Sequence, residues 1–173
     1  MRVYLISENV LKKRSLINDA TLGKYIKPAI EIAQNIDLKQ IIGKNLLDKI
    51  CDLCYEENDQ HVKLIDLPEY AQYKLLMTDY ITDYMCYMTM CEIQMGIHNK
   101  MRNAGVTQSV DENYIQASLQ EVNFNRQYWK DKGEFVGNEM QRYIIKNKNL
   151  YPEFSQCCDN TPIRDSFQCG IVI

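Results

Sequence analysis

Residues 66–99, DLPEYAQYKLLMTDYITDYMCYMTMCEIQMGIHN, decide the fold class that this sequence predicts. The segment opens with Asp66, Pro68 and Glu69, and a cap, a first-turn proline and an acid are typical of a helix start. Large side chains then recur at steps of three or four, which gathers them on one helix face. They are Tyr73, Met77, Tyr80, Tyr84, Tyr87 and Cys91. The pattern predicts a long helix that continues to about residue 99.

The same spacing predicts four more helices along the chain. Their predicted ranges are 7–14, 21–42, 45–57 and 111–147. Ser7 caps the first of them, and Gly43 ends the second in a left-handed turn. Pro28 either kinks the second helix or marks its true start, since proline lacks an N–H and clashes with the preceding turn. Seven glycines and four prolines are too few to punctuate a fold of many short strands. The sequence therefore predicts an all-α fold, a small bundle of about five helices.

An extended C-terminal tail is predicted where the helical spacing stops, at Lys148. We expect a helical domain at residues 1–147 and a tail at residues 148–173 that docks on another protein. The end of the tail is uncharged and partly β-branched, which suits strand addition to the edge of a partner's sheet. Its predicted contact residues are Phe167, Gly170, Ile171, Val172 and Ile173. The alternative is that the tail folds back onto its own helices as an irregular strap.

Composition excludes several classes of protein. The net charge is −3 and the basic residues are scattered, whereas a nucleic-acid-binding protein normally carries a basic stripe. No run reaches the ~18 apolar residues of a membrane span, and the start has too short an apolar run for a signal peptide. Seven cysteines cannot all pair with one another. We therefore expect reduced thiols and synthesis in a cytoplasm.

Cysteine and aspartate pairs are the candidate sites for chemistry. Cys51 and Cys54 have the spacing of a redox dithiol, but the helix face that they share also carries Ile50. We predict that both are buried, reduced core residues, because zinc would need two more ligands at a suitable spacing. Asp79 and Asp83 lie one turn apart and could do acid–base work only in a cleft that perturbed them. The sequence predicts no catalytic residue, no metal ligand and no cofactor.

The methionines and tyrosines of the helix at 66–99 cover more than half of its circumference. A single core stripe does not use so much apolar surface, and both residue types are common in protein–protein contacts. We predict that Tyr84, Met85 and Met88 contact a neighbouring subunit. In a single chain, Met85 and Met88 should then be exposed.

Several short motifs in the first half of the chain match a known pattern of helices and turns. They are Ser7-Glu8, Gly23-Lys24-Tyr25-Ile26-x-Pro28-Ala29-Ile30-x-x-Ala33-Gln34, Asp37-Leu38-x-x-Ile41-Ile42-Gly43-x-x-Leu46-Leu47 and Tyr70-x-x-Tyr73-Lys74-Leu75-Leu76. With these motifs the chain resembles the head–tail connector (adaptor) proteins of tailed bacteriophages, especially the ring proteins of crAss-like and other Bacteroides phages. The likeness covers most of residues 5–145.

The resemblance implies a structural virion protein with no enzymatic activity. Its copies would form a ring, twelve-fold where best known, under the portal protein and would join the DNA-filled head to further ring or tail proteins. Genomic DNA would only pass through the lumen, where mild acidity keeps the polyanion from sticking. Two other classes stay open: a helical regulator that binds a partner protein without forming a ring, and a small helical enzyme whose site combines Tyr, Asp and Cys side chains.

Overall fold

A computed structural model describes residues 3–15, 23–55, 63–102, 105–108 and 119–154, and for residues 95–102 and 105–108 it describes the backbone alone. Seven α-helical segments and one short hairpin make up most of these ranges. The helices are α1 (Glu8–Arg14), α2 (Gly23–Ile32), α3 (Lys39–Ile42), α4 (Lys44–Tyr55), α5 (Ala71–Leu76), α6 (Thr82–His98) and α7 (Leu119–Lys146). The predicted all-α class is confirmed.

Two pairs of these helices are continuous rods. A π-helical segment, Ala33–Leu38, joins α2 to α3, and a second one, Met77–Ile81, joins α5 to α6. The described residues therefore form five helical units, the number that the sequence predicts. Pro28 lies inside α2 and does not end it. Gly43, with φ of 78°, ends α3 in the left-handed region that glycine adopts most readily.

The first helix is capped as its sequence predicts. The Ser7 hydroxyl oxygen accepts a hydrogen bond from the Val10 N–H at 3.3 Å, which satisfies one of the free N–H groups of the first turn. Glu8 opens α1 and basic residues close it, an order that matches the helix dipole. Leu11 is fully buried and anchors α1 to the rest of the domain.

Helix α6 lies at the centre and packs on both α2 and α7. The close approach of α7 depends on glycine: a Cβ on Gly137 would lie 2.7 Å from Ile41 Cδ1 and 3.0 Å from the Tyr84 ring. A Cβ on Gly133 would meet the Met88 sulfur at 2.5 Å. At 2.7 and 2.5 Å, the Ile41 and Met88 side chains would have to shift to admit a Cβ, so these two glycines mark a close helix crossing.

The prediction that Met85 and Met88 are exposed on a single chain is wrong. Met85 is fully buried and Met88 is 7% exposed, and Tyr84 beside them is 3% exposed. The physical reason is that α6 is covered on several sides by helices of its own chain, so an apolar circumference is satisfied without a second subunit. The reason for assigning these three residues to a subunit contact is therefore removed.

A hairpin that the sequence did not predict follows α6. Strand β1 (Asn99–Arg102) pairs with β2 (Gly105–Gln108) in an antiparallel register that places Asn99 opposite Gln108. Strands of four residues are too short for an alternating pattern to stand out.

The first residues of the predicted tail belong to the helical domain. Tyr151 is fully buried and Phe154 is 5% exposed. The Tyr151 hydroxyl donates to the Gln72 carbonyl at 2.9 Å, and the Tyr73 hydroxyl donates to Glu153 Oε2 at 2.8 Å. Up to Phe154 the chain is thus the strap of the alternative interpretation, and the domain does not end at residue 147.

The predicted docking residues at the end of the tail lie outside the described part of the chain. They are Phe167, Gly170, Ile171, Val172 and Ile173. Their role stays a prediction. Among the described residues, no helix combines the length and the apolar character needed to cross a membrane.

Candidate interaction surface

The thiols of the described residues are held in their neutral form. Cys51 and Cys54 are half-buried against the core, while Cys86 and Cys91 are buried, and all four are free. The prediction of core cysteines at 51 and 54 therefore holds only in part, because neither side chain is fully enclosed. Burial raises the pKa of Cys51 to about 12. A thiolate is the nucleophile in cysteine chemistry, so this arrangement does not favour catalysis by Cys51.

An open groove of about 450 Å³ lies beside Cys51, between the N-terminal segment and the helices α2 and α4. Its central polar residue, Gln34, is only 5% exposed. The Gln34 Oε1 atom accepts from the Leu5 N–H at 3.0 Å, and its Nε2 donates to the Val3 carbonyl at 2.9 Å. Gln34 therefore pairs with the backbone of the N-terminal segment as a neighbouring strand would, and its amide has a structural role.

Asp37 is the most perturbed acid of the described residues. It lies in the π-helical segment after α2, and its Oδ2 atom is buried with no hydrogen-bond partner in the described structure. Burial and, to a smaller extent, the nearby Glu92 raise the pKa of Asp37 from 3.8 to about 6, against Lys130 and Arg126. Arg126 is also 3.6 Å from Glu92. Charged side chains of α7, of α6 and of the rod at residues 23–42 therefore lie near one another.

Replacing Asp37 by Asn should stabilise the protein near neutral pH. Above its folded-state pKa of about 6, the acid is ionised in both states and the buried charge costs free energy. As the pH falls from about 6 to about 4, the folded state takes up a proton before the unfolded state does, so wild-type stability rises. Asn keeps the neutral form at every pH.

We expect the free energy of unfolding of D37N to exceed that of the wild type by about 1–2 kcal/mol at pH near 7.5, with a gap that closes towards pH near 4. Urea unfolding at both pH values measures this gap. The matched control is Asp52→Asn on the exposed side of α4, which should change stability by less than about 0.5 kcal/mol at either pH. A gap that stays constant with pH would refute the assignment.

The outer side of α7 carries three exposed aromatic residues, which we call the α7 face. Phe124 is 74% exposed, Tyr128 is 46% exposed and Phe135 is 68% exposed. At 100° per residue they lie within about 40° of one another around the helix axis. The buried residues of α7 lie on its opposite side: they are Val122, Gly133, Gly137, Met140 and Ile144. Helix α7 therefore has two apolar sides, and only one of them is covered by the chain itself.

A second exposed apolar surface lies on the outer side of the rod at residues 23–42. Ile32 is 39% exposed and Ile36 is 55% exposed, and Pro28 is exposed one turn earlier. We call these three residues the α2 patch. Both α2 and α7 pack on α6, and the α2 patch and the α7 face lie on different helices.

The structure therefore places the exposed apolar surface away from the predicted contact residues of α6. The contact residues predicted from sequence do not include the α7 face. Phe124, Tyr128 and Phe135 are four and seven residues apart, a helical spacing that indicates a second apolar stripe on α7.

Comparison with known proteins gives a match to a protein-family model over residues 38–164, which the model describes as a family of unknown function. The matched range includes α4, α6 and α7. No curated protein and no solved structure matches the chain significantly.

Proposed function

This chain belongs to the family DUF6712, and we propose that it is a structural virion protein of a tailed bacteriophage. Its copies form a ring beneath the portal protein, which joins the DNA-filled head to the tail and lets DNA pass. The proposal combines the resemblance to head–tail connector proteins with the surface of the helical domain.

The α7 face is the observation that carries the proposal. Two phenylalanines that are 74% and 68% exposed lie on one side of a 28-residue helix. Aromatic residues are enriched at protein–protein interfaces, and contiguous exposed apolar surface on a soluble domain marks sites of interaction. A protein whose role is to be covered by its neighbours would carry such a surface.

Ring geometry adds support from the second surface. Copies in a closed ring meet through two different surfaces, because each copy turns one side to the copy before it and another side to the copy after it. The α7 face and the α2 patch are two apolar surfaces on different helices, both of which pack on α6. A regulator that binds one partner would need only one of them.

The polar groups of the domain support a structural role over an enzymatic one. The Gln34 amide is used to hold the N-terminal segment, and the Tyr73 hydroxyl is used to hold Glu153. Burial keeps Cys51 in its thiol form. The net charge of −3 fits a lumen through which DNA slides, because like charges do not bind the polyanion.

Particles of a phage whose genome encodes this chain provide the test. Mass spectrometry should find the chain in purified virions, and immunogold labelling should place it at the neck. A phage with the gene deleted should make DNA-filled heads that do not join tails. If intact virions lack the chain, the proposal fails; a stable complex with one non-virion protein would then favour the regulator.

A further inference from the structure

We propose that the free chain forms a two-fold dimer in which α7 of one copy packs antiparallel against α7 of the other. The pairing does not depend on the proposed function, because a two-fold contact closes at two copies, whereas a ring needs a contact that passes from copy to copy. The dimer covers the α7 face in the free protein, so that face is open to another partner only when the two copies separate.

The outer side of α7 has the spacing of a coiled-coil helix. Exposed residues recur along it at alternating steps of four and three, which is the spacing of heptad positions a and d. A helix that supercoils with a partner keeps such a repeat on one side. We call these residues the heptad stripe: Phe124, Tyr128, Asp131, Phe135, Asn138, Arg142 and Ile145. At 1.5 Å per residue the stripe is about 32 Å long, and it has an exposed apolar residue at each end.

The heptad stripe is complementary to itself when the second copy runs in the opposite direction. In an antiparallel pair of helices, an a position of one helix lies opposite a d position of the other. One register pairs three a positions of the stripe with three d positions: Tyr128 with Ile145, Asp131 with Arg142 and Phe135 with Asn138. Two-fold symmetry forms each of these pairs twice.

The charged pair favours this register. Asp131 is exposed, and the Arg142 side chain is 76% exposed. Within its own helix, Arg142 contacts Glu139 at 2.7 Å and Asp131 accepts from Gln127 at 2.6 Å. A guanidinium has five N–H donors and a carboxylate has about four acceptor sites, so both groups have capacity for a second contact. A parallel pairing in register would set each of these two residues against its own copy, and opposed like charges cost free energy.

Lys132 and Glu139 add a second match of charge beside the stripe. Both occupy heptad position e, and the e positions of antiparallel helices face each other. In the same register, Lys132 therefore lies near Glu139 of the other copy. The Lys132 Nζ atom is 4.3 Å from the centroid of the Tyr128 ring, which places its charge at the edge of the stripe. The match uses opposite charges at particular positions and needs no net charge on α7.

The polar residues of the stripe suit a reversible dimer. Polar side chains at a and d positions specify register and copy number at a cost in stability. Asp131, Asn138 and Arg142 take three of the seven positions. A dimer of this kind separates readily, and its α7 faces then become available to the ring neighbours of the proposed function.

A second antiparallel register is the competing arrangement. It sets Phe124 opposite Phe135 and Tyr128 opposite Asp131, and so it pairs the phenylalanines with each other. It also encloses the Asp131 carboxylate without an opposing cation and leaves Arg142 without an acidic partner. Charge at position 142 distinguishes the two registers.

Exchange of charge between two single variants of the full chain tests the pairing. Asp131→Arg and Arg142→Asp each place like charges opposite one another in a dimer of identical copies, so each should weaken self-association by more than about tenfold. A mixture of the two should associate again as a heterodimer, because both charged pairs of the mixed dimer are of opposite sign. Analytical ultracentrifugation of the wild type, the two variants and their mixture measures this.

Asp48→Arg is the matched control, since Asp48 is exposed on α4 and does not belong to the stripe. It makes the same change as Asp131→Arg and should associate like the wild type. Thermal unfolding checks that every variant is folded. Because each variant replaces an exposed residue, its melting should stay close to that of the wild type.

Three outcomes would overturn the pairing. They are a wild-type chain that stays monomeric at every concentration, an Arg142→Asp chain that associates as well as the wild type, and a mixture that forms no heterodimer. The second outcome would indicate the register that pairs Phe124 with Phe135. The presence of the chain in virions is measured separately, so failure of the pairing is distinguishable from failure of the proposed function.

Discussion

Replacing Met85 by Asp should unfold the domain, and should do so in the absence of any partner. Met85 is fully buried in α6 within a single chain. Loss of a buried methionine costs about 2–5 kcal/mol, and burial of a carboxylate without a partner adds to that cost. We expect the free energy of unfolding to fall by more than about 4 kcal/mol, which is a large part of the 5–15 kcal/mol of a typical domain. Urea unfolding followed by circular dichroism measures it.

Phe135→Asp on the α7 face is the control for M85D, because it introduces the same charge at a residue that is 68% exposed. Its effect on stability should stay within about 0.5 kcal/mol. An M85D chain that is as stable as the wild type but no longer associates would contradict the burial of Met85 and would restore its assignment to a subunit contact.

The helices were predictable from sequence because their signals are local. Ser7 at a cap, Gly43 at a helix end and Asp66-Leu67-Pro68 ahead of α5 each act within one turn, and the structure has a helical boundary at or near each of them. The π-helical segments were not predictable in this way. A π turn changes the register by one residue and leaves the helix continuous, so the spacing of apolar residues hardly changes.

The site was harder to predict because burial depends on neighbours that are distant in sequence. The apolar circumference of α6 suggested a subunit contact, but α2, α7 and the first π-helical segment cover it within the chain. The α7 face shows the reverse case. Phe124 and Phe135 resemble core residues in sequence, so apolar character alone does not say which side of α7 meets α6. Gly133 and Gly137 indicate the buried side, because a Cβ at either position would lie too close to a neighbouring side chain.

The raised pKa of Asp37 was also beyond the reach of sequence. Its causes are burial and the nearby Glu92, which is 55 positions away in the chain. A carboxylate in a helix is typical of a solvated surface. Only the packing of α6 and α7 against the π-helical segment places the side chain where its charge is costly.

Truncation of the C-terminal segment should divide it into a structural part and a dispensable part. Removal of residues 155–173 should leave the stability of the helical domain within about 1 kcal/mol of the wild type, because it keeps Tyr151 and Phe154, the buried side chains of the strap. Removal of residues 151–173 should cost more than about 4 kcal/mol, since it also takes away two buried aromatic side chains. The Tyr151 ring packs edge-on against the Tyr73 ring, with 5.7 Å between the ring centroids, and the Tyr151 hydroxyl donates to the Gln72 carbonyl.

The full-length variants Tyr151→Ala and Leu150→Ala separate packing from chain length. Tyr151 is fully buried whereas Leu150 is 47% exposed, so Y151A should cost about 3–5 kcal/mol and L150A less than about 1 kcal/mol. Thermal and urea unfolding of the four chains give the comparison. If the chain that ends at residue 150 is as stable as the one that ends at residue 154, the strap does not hold the bundle. If neither truncation lowers the free energy of unfolding relative to the wild type, the docking segment begins at residue 151. The aromatic contacts between Tyr73, Tyr143 and Tyr151 then contribute little to the fold.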